Sequence, residues 1–149
     1  MDFSRHKHKF PVEISEYFHS SWDNREHWRL EAPRMQVAIS ELAWLLDYPF
    51  LSSSPPLPLF DLLPRAVLSS PHEFSLHWNR VQAADLSFPI NVTTFGGRLV
   101  ILDGVHRLLK SIHDGSAMME CKFIARKHIR TAVAPSVSPL VGTALTSDE

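Results

Sequence analysis

The sequence predicts an α+β fold, a small mixed β-sheet with flanking helices and an extra helical segment at the N-terminal end. Three observations lead there. Four short stretches, Met35–Ile39, Pro89–Phe95, Arg98–Leu102 and Met119–Ala125, are either alternating or continuously apolar over strand lengths. Gly96-Gly97 joins two of them as a hairpin turn. Behind Asp103-Gly104 the pattern changes to Val105, Leu108, Leu109 and Ile112, the i, i+3, i+4, i+7 spacing of an amphipathic helix.

A chain of 149 residues, 44% hydrophobic and 21% charged, suffices for one ordinary core. A formal net charge of −1 supplies no basic footprint, so nucleic acid is not the favoured partner. Cys121 is the single cysteine; it excludes an internal disulfide framework and fits a reducing compartment. No apolar run reaches membrane-spanning length and no signal-peptide core follows the first residues, so the expected setting is cytoplasmic, without a membrane partner.

Residues 1–10 are polar and basic and are expected to be loose; His6 and His8 in such a stretch are more often solvated than metal-bound. Pro11 opens a helix in which Ile14, Tyr17, Phe18 and Trp22 share a face. Asp23 and Glu26 read as a capping pair for a second short helix carrying Trp28 and Leu30 into the core. Residues 1–33 thus form a helical extension, 34–130 the main domain and 131–149 a Pro/Ser/Thr/Ala-rich tail.

Within the main domain, Pro33 precedes the first strand, and Ser40 caps a short helix or turn over Glu41–Asp47. Residues 48–64 contain five prolines and Ser52-Ser53-Ser54, too broken for regular structure, yet too apolar for a solvated linker. They are expected to lie as an ordered cover over the core or the site. Ser70-Pro71-His72-Glu73 reads as a helix start, with Phe74, Trp78 and Val81 buried, His77 on the edge and Arg80 exposed. His77 and Arg80 are candidates for substrate contact. In the last strand Met119, Cys121 and Phe123 face inward against Glu120 and Lys122, which makes Cys121 an inert core thiol. Arg126–Arg130 is a basic cluster, either a solvated strand end or a phosphate-facing edge.

The chemistry concentrates at residues 98–115. A helix N-terminus is electropositive and has unpaired N–H groups, so cations there are normally disfavoured. This one opens with His106 and Arg107 and adds Lys110 a turn later. A bound anion, most often phosphate, reverses that argument, and Gly104 lets backbone N–H groups approach it. The plainer alternative has Asp103 capping the helix and pairing with Arg107 at i, i+4; the two can coexist. There is no Walker phosphate loop, nucleophile elbow, cysteine metal cluster or dinucleotide fingerprint.

Leu102-Asp103-Gly104-Val105-His106-Arg107, after a buried strand and before an amphipathic helix, resembles the Asp-Gly-x-His-Arg motif of the ParB/sulfiredoxin-like superfamily. The similarity covers roughly residues 34–126 and is clearest over Pro89–Ile124. Members include ParB partition proteins that bind CTP, sulfiredoxins that use ATP, and free serine kinases; nuclease activity has been assigned to some. The resemblance implies that Asp103, Gly104, Val105, His106, Arg107 and Lys110 meet the phosphates of ATP, ADP or CTP, with Mg²⁺ as the accompanying metal. It also implies a catalytic acid in the loop after the first strand, where Asp47 lies nearest and Glu41 is the reserve; the plainer reading has Asp47 start the turn into Tyr48-Pro49. Catalysis would then use Asp47, Asp103 and His106, the two carboxylates holding metal or acting as base. Val105 replaces the reactive cysteine of sulfiredoxins, which removes that chemistry, and the Glu-Arg-Arg motif of ParB is absent. The resulting expectation is a nucleotide-dependent phosphotransferase or nucleotide hydrolase acting on a small hydroxylated metabolite. The alternatives are a ParB-like nuclease or nucleotide-dependent nucleic-acid binder, and a non-catalytic domain that binds a nucleotide or a partner.

Overall fold

A computed structural model describes residues 4–15 and 25–133. Among them α1 (Val12–Ser15) and α2 (Arg25–Arg29) precede the first strand, β1 (Arg34–Ala38). Then come two 3₁₀ turns, Ile39–Glu41 and Ala43–Asp47, the Pro-rich segment, α3 (Pro64–Ser69) and α4 (Ser75–Ala83). The hairpin β2 (Ile90–Phe95) and β3 (Arg98–Asp103) leads into α5 (Val105–His113), β4 (Met118–Phe123) and α6 (Arg126–Val133). No described helix is long and apolar enough to cross a membrane.

The four strands form one mixed sheet in the order β1-β4-β2-β3. β4 runs antiparallel to β1 and parallel to β2, and β2 is antiparallel to β3 with a register shift at Asn91/Val92. The expected α+β class and all four strands are therefore present. Gly96 and Gly97 both have positive φ, as a two-residue hairpin turn of this hand requires. On the sheet pack Leu108 and Leu109 of α5, Val67 of α3 and Val81 of α4, all buried with Ile90, Val92, Val100 and Cys121. Burial pushes the Cys121 thiol up to about 12, so it is the inert thiol expected.

Several local expectations do not hold. The N-terminal residues are not loose: Ser4–Lys9 form a 3₁₀ turn, because His6 packs on Phe60 and Phe10 on Tyr48, Phe50 and Phe60. Lys9 Nζ donates to the carbonyls of Leu59 and Phe60. Trp28 is 60% exposed, and it is His27 that fills the core there. Tyr17, Phe18, Trp22 and Asp23 lie outside the described residues, as do residues 134–149 of the tail. The helix expected from Ser70 starts at Ser75 instead, since the Ser70 N–H already closes α3 on the Ala66 carbonyl. Arg126–Arg130 is helical rather than a strand end. Ser40 lies inside the first 3₁₀ turn rather than at a cap position.

Lys122 is also buried, although it lies on the face of β4 opposite Cys121. Its ammonium donates to the carbonyls of His27 (2.7 Å), Leu30 (3.0 Å) and Trp28 (3.4 Å), which end α2. A cation there satisfies orphan carbonyls and opposes the helix dipole. Replacing it with methionine keeps the stem but strands those acceptors, so Lys122→Met is expected to lower the unfolding free energy by about 1–3 kcal/mol. An unchanged urea midpoint would show that the lysine does not hold α2.

The Pro-rich segment is ordered, as expected. Leu51 and Leu62 pair across it and are buried, and the Ser53 backbone N–H and hydroxyl both donate to Asp61. Those bonds hold the Asp61 carboxyl below its usual value.

Candidate functional site

The site begins where β3 ends. Gly104 takes φ 112°, a left-handed geometry, so the chain can turn from strand to helix in one residue. A Cβ here would stand 2.6 Å from Ile90 Cγ2, closer than carbon atoms pack. No side chain caps α5. Asp103 therefore does not play the capping role: its Oδ2 accepts the Trp28 indole N–H at 2.7 Å and the Arg107 guanidinium at 3.3 Å. The i, i+4 pair is thus present and the cap is not. Arg107 also donates to the Pro89 carbonyl at 2.8 Å, which ties the first turn of α5 to the start of β2.

The uncapped end of α5 opens into a cavity of about 560 Å³. Asp103, Gly104, Val105, His106 and Arg107 form one wall, with Arg80 and Asp85 from the α4 end. Phe50, Phe60 and Phe88 supply aromatic surface, and Phe88 is 62% exposed. This size and lining are those of a small-molecule site. A second cavity of about 380 Å³ adjoins it, lined by Pro55, Pro56, Leu57 and Pro58 of the Pro-rich segment.

In space the positive charges are disposed differently than along the chain. Lys110 is turned away, donating to the carbonyls of Gln82 (2.9 Å) and Ala84 (2.8 Å), where it secures the end of α4. Arg107 is neutralised by Asp103. His106 is half-buried, and its pKa is lowered to about 4, chiefly by burial and then by Arg80 and His77. It is a neutral imidazole at pH 7. Asp85 accepts from Ser87 N–H and hydroxyl, which lowers its pKa. The free cation of the cavity is Arg80, exposed and without a hydrogen bond or ion pair to any described residue.

His106 Nε2 lies 3.0 Å from His77 Nδ1, with the rings 15° apart. His77, expected on a helix edge, is only 4% exposed, and its Nε2 lies 2.6 Å from the Ser52 carbonyl. A carbonyl only accepts, so His77 Nε2 carries a proton and its Nδ1 is the acceptor for His106 Nε2–H. A further proton on this pair would be a buried charge beside Arg80.

Besides Lys110, two expected residues are not brought to the site. Asp47 lines neither cavity; its carboxylate is gripped by Arg65 at 2.7 and 3.2 Å on the surface, which holds its pKa low. Glu41 is exposed and also lines neither. The Asp47–Asp103 carboxylate pair is therefore not assembled, and among the described residues no three metal-binding side chains converge. Missed were Phe50, Asp85 and Phe88; Phe60 belongs to the apolar residues among the prolines that were expected to cover the core or the site, and the same signal was available for Phe50.

Comparison of the chain with protein-family models, curated proteins and solved structures gives no match.

Proposed function

We propose that this protein binds a small phosphate-bearing ligand of the nucleotide class in the larger cavity. The observation that carries the reading is the uncapped first turn of the nine-residue α5 opening into that cavity beside Arg80, a cation with no partner among the described residues. Unpaired N–H groups, a helix dipole and a free guanidinium make a phosphate site. Phe50, Phe60 and Phe88 offer surface for a base or other flat apolar group. The resemblance of Asp103–Arg107 to the ParB/sulfiredoxin-like motif supports the same ligand class, ATP, ADP or CTP. Mg²⁺ brought with a nucleotide needs only one or two carboxylates beside the phosphates, and Asp103 and Asp85 are those on the wall. With Asp47 held by Arg65, a catalytic role falls to His106 rather than to a carboxylate pair.

Trp28 provides the readout, because its indole N–H rests on Asp103. Titration with ATP, ADP, CTP and pyrophosphate, each with Mg²⁺, is expected to change tryptophan emission saturably, and Trp28→Phe to abolish that change. Arg80→Ala is expected to weaken binding about tenfold, roughly 1.4 kcal/mol, for a lost charge-assisted contact. If calorimetry detects no heat with any of the four, the reading is wrong.

A further inference from the structure

We propose that the smaller cavity receives an uncharged acceptor with an apolar body and one hydroxyl group, and that His106 Nδ1 takes the hydroxyl proton while His77 acts as the positioning residue. This rests on the proposed phosphate site in the neighbouring cavity.

The two cavities share Phe50, Leu51, Phe60, Arg80 and His106. Whatever reacts across that wall meets His106 and Arg80 from both sides. The protonation pattern of His106 is set by a chain of bonds that ends on backbone. The Ser52 carbonyl takes His77 Nε2–H, His77 Nδ1 takes His106 Nε2–H, and His106 Nδ1 is left with a lone pair. That nitrogen bonds to no described residue and is not sealed from solvent. Ser52 cannot drift, because Leu51 is paired with Leu62 and Ser53 is bonded twice to Asp61. The arrangement is that of a base oriented by a second group. The depressed basicity of His106 leaves the ring unprotonated, and so able to accept, throughout the neutral range.

The lining identifies the occupant. Pro55, Pro56, Leu57 and Pro58 offer carbon, and polar side chains collect at the end holding Ser52, His77, Arg80 and His106. That calls for a molecule apolar along its length with one polar tip. Among the described residues no carboxylate lines this cavity, so an ammonium group would enter beside Arg80 with nothing to balance it. The ammonium of an amino acid would find no protein carboxylate there, whereas a neutral alcohol needs none.

The step balances as a simple transfer. The hydroxyl oxygen forms a bond to the terminal phosphorus of a phosphoanhydride held at the start of α5, and its proton passes to His106 Nδ1. The bridging P–O bond breaks, and the diphosphate leaves with that electron pair. Deprotonation of the imidazolium by solvent completes the cycle.

The first test needs no variant. Long-range ¹H–¹⁵N correlation of the ¹⁵N-histidine-labelled full chain at pH 7 is expected to show the His106 ring neutral with its proton on Nε2. A proton on His106 Nδ1 would overturn the proposal. The second uses γ-labelled ATP with Mg²⁺ and benzyl alcohol or serine as acceptor. Labelled benzyl phosphate is expected and labelled phosphoserine is not. His106→Gln is expected to lower kcat about a hundredfold, the size of a general base. His77→Phe should lower kcat about tenfold at unchanged KM for ATP and move the acid limb of the pH–rate profile, which a merely structural residue would not do. Saturable ATP binding without transfer to benzyl alcohol sinks this inference and leaves the phosphate site standing. Failure to bind ATP removes both.

Discussion

Replacing Gly104 with alanine is expected to lower the unfolding free energy by about 3 kcal/mol or more, enough to unfold a marginal domain at moderate temperature. Two costs combine. At φ 112° an L-residue is strained by roughly 1–2 kcal/mol. The added Cβ also meets the Ile90 side chain at 2.6 and 3.0 Å, and Ile90 is fully buried at the centre of the sheet, so it cannot swing aside. Overpacking of that kind costs about 1–3 kcal/mol. Urea unfolding of Gly104→Ala, Ile90→Ala and the double variant tests this: truncating Ile90 removes the 2.6 Å contact with Cγ2 but leaves the 3.0 Å contact with Cβ and the backbone strain, so the double variant is expected to be less destabilised than the sum. A Gly104→Ala protein as stable as the parent would mean the strand-to-helix corner is not as tight as described.

Acid should weaken the protein above the range in which Asp47, Asp61 and Asp85 titrate. His106 has a folded pKa of about 4 against 6.5 when unfolded, so between those values the unfolded chain binds the proton more tightly. Stability from this group is complete above pH 6.5 and is lost as pH falls towards 4. With about 1.4 kcal/mol for each pH unit between the folded and unfolded values, the loss is on the order of 3 kcal/mol. Asp47, Asp61 and Asp85 have their pKa values lowered from 3.8 by hydrogen bonds, so their contributions disappear only below that window. His106→Gln retains an N–H to offer His77 and cannot titrate; its stability is expected to vary much less between pH 6.5 and 4. Arg80, whose charge acts on the ring, remains in place in that variant. Equal pH slopes for the two proteins would assign the acid sensitivity elsewhere.

The sheet and α5 were legible in the sequence because their signals are local. Alternation in Met35–Val37, the apolar run Leu99–Leu102, the Gly96-Gly97 turn and the 3.6-residue period of α5 each depend on residues within a few positions of one another. Gly115, two residues past the end of α5, has the left-handed geometry that stops a helix. The strand-to-helix corner at Gly104 was legible for the same reason.

The partners of those residues were not. His77 is buried with Val81 one turn later on α4, and its ring nitrogens are taken up by the Ser52 carbonyl and His106, residues distant along the chain. Trp28 looks like core by composition, yet its indole N–H is used on the Asp103 carboxylate, 75 residues away. Lys110 and Arg107 count as free cations along the chain; in space one holds the end of α4 and the other is matched by Asp103.

Local chain chemistry was thus enough to set the α+β class, four strands, the glycine corner and the motif helix, since steric preference and hydrophobic period act over one or two turns of chain. Which charges survive as free, and which nitrogen of His106 is bare, depended on how the elements pack. A hydrogen bond or ion pair needs atoms within about 3 Å, and packing, not sequence distance, brings Ser52, His77 and His106 that close.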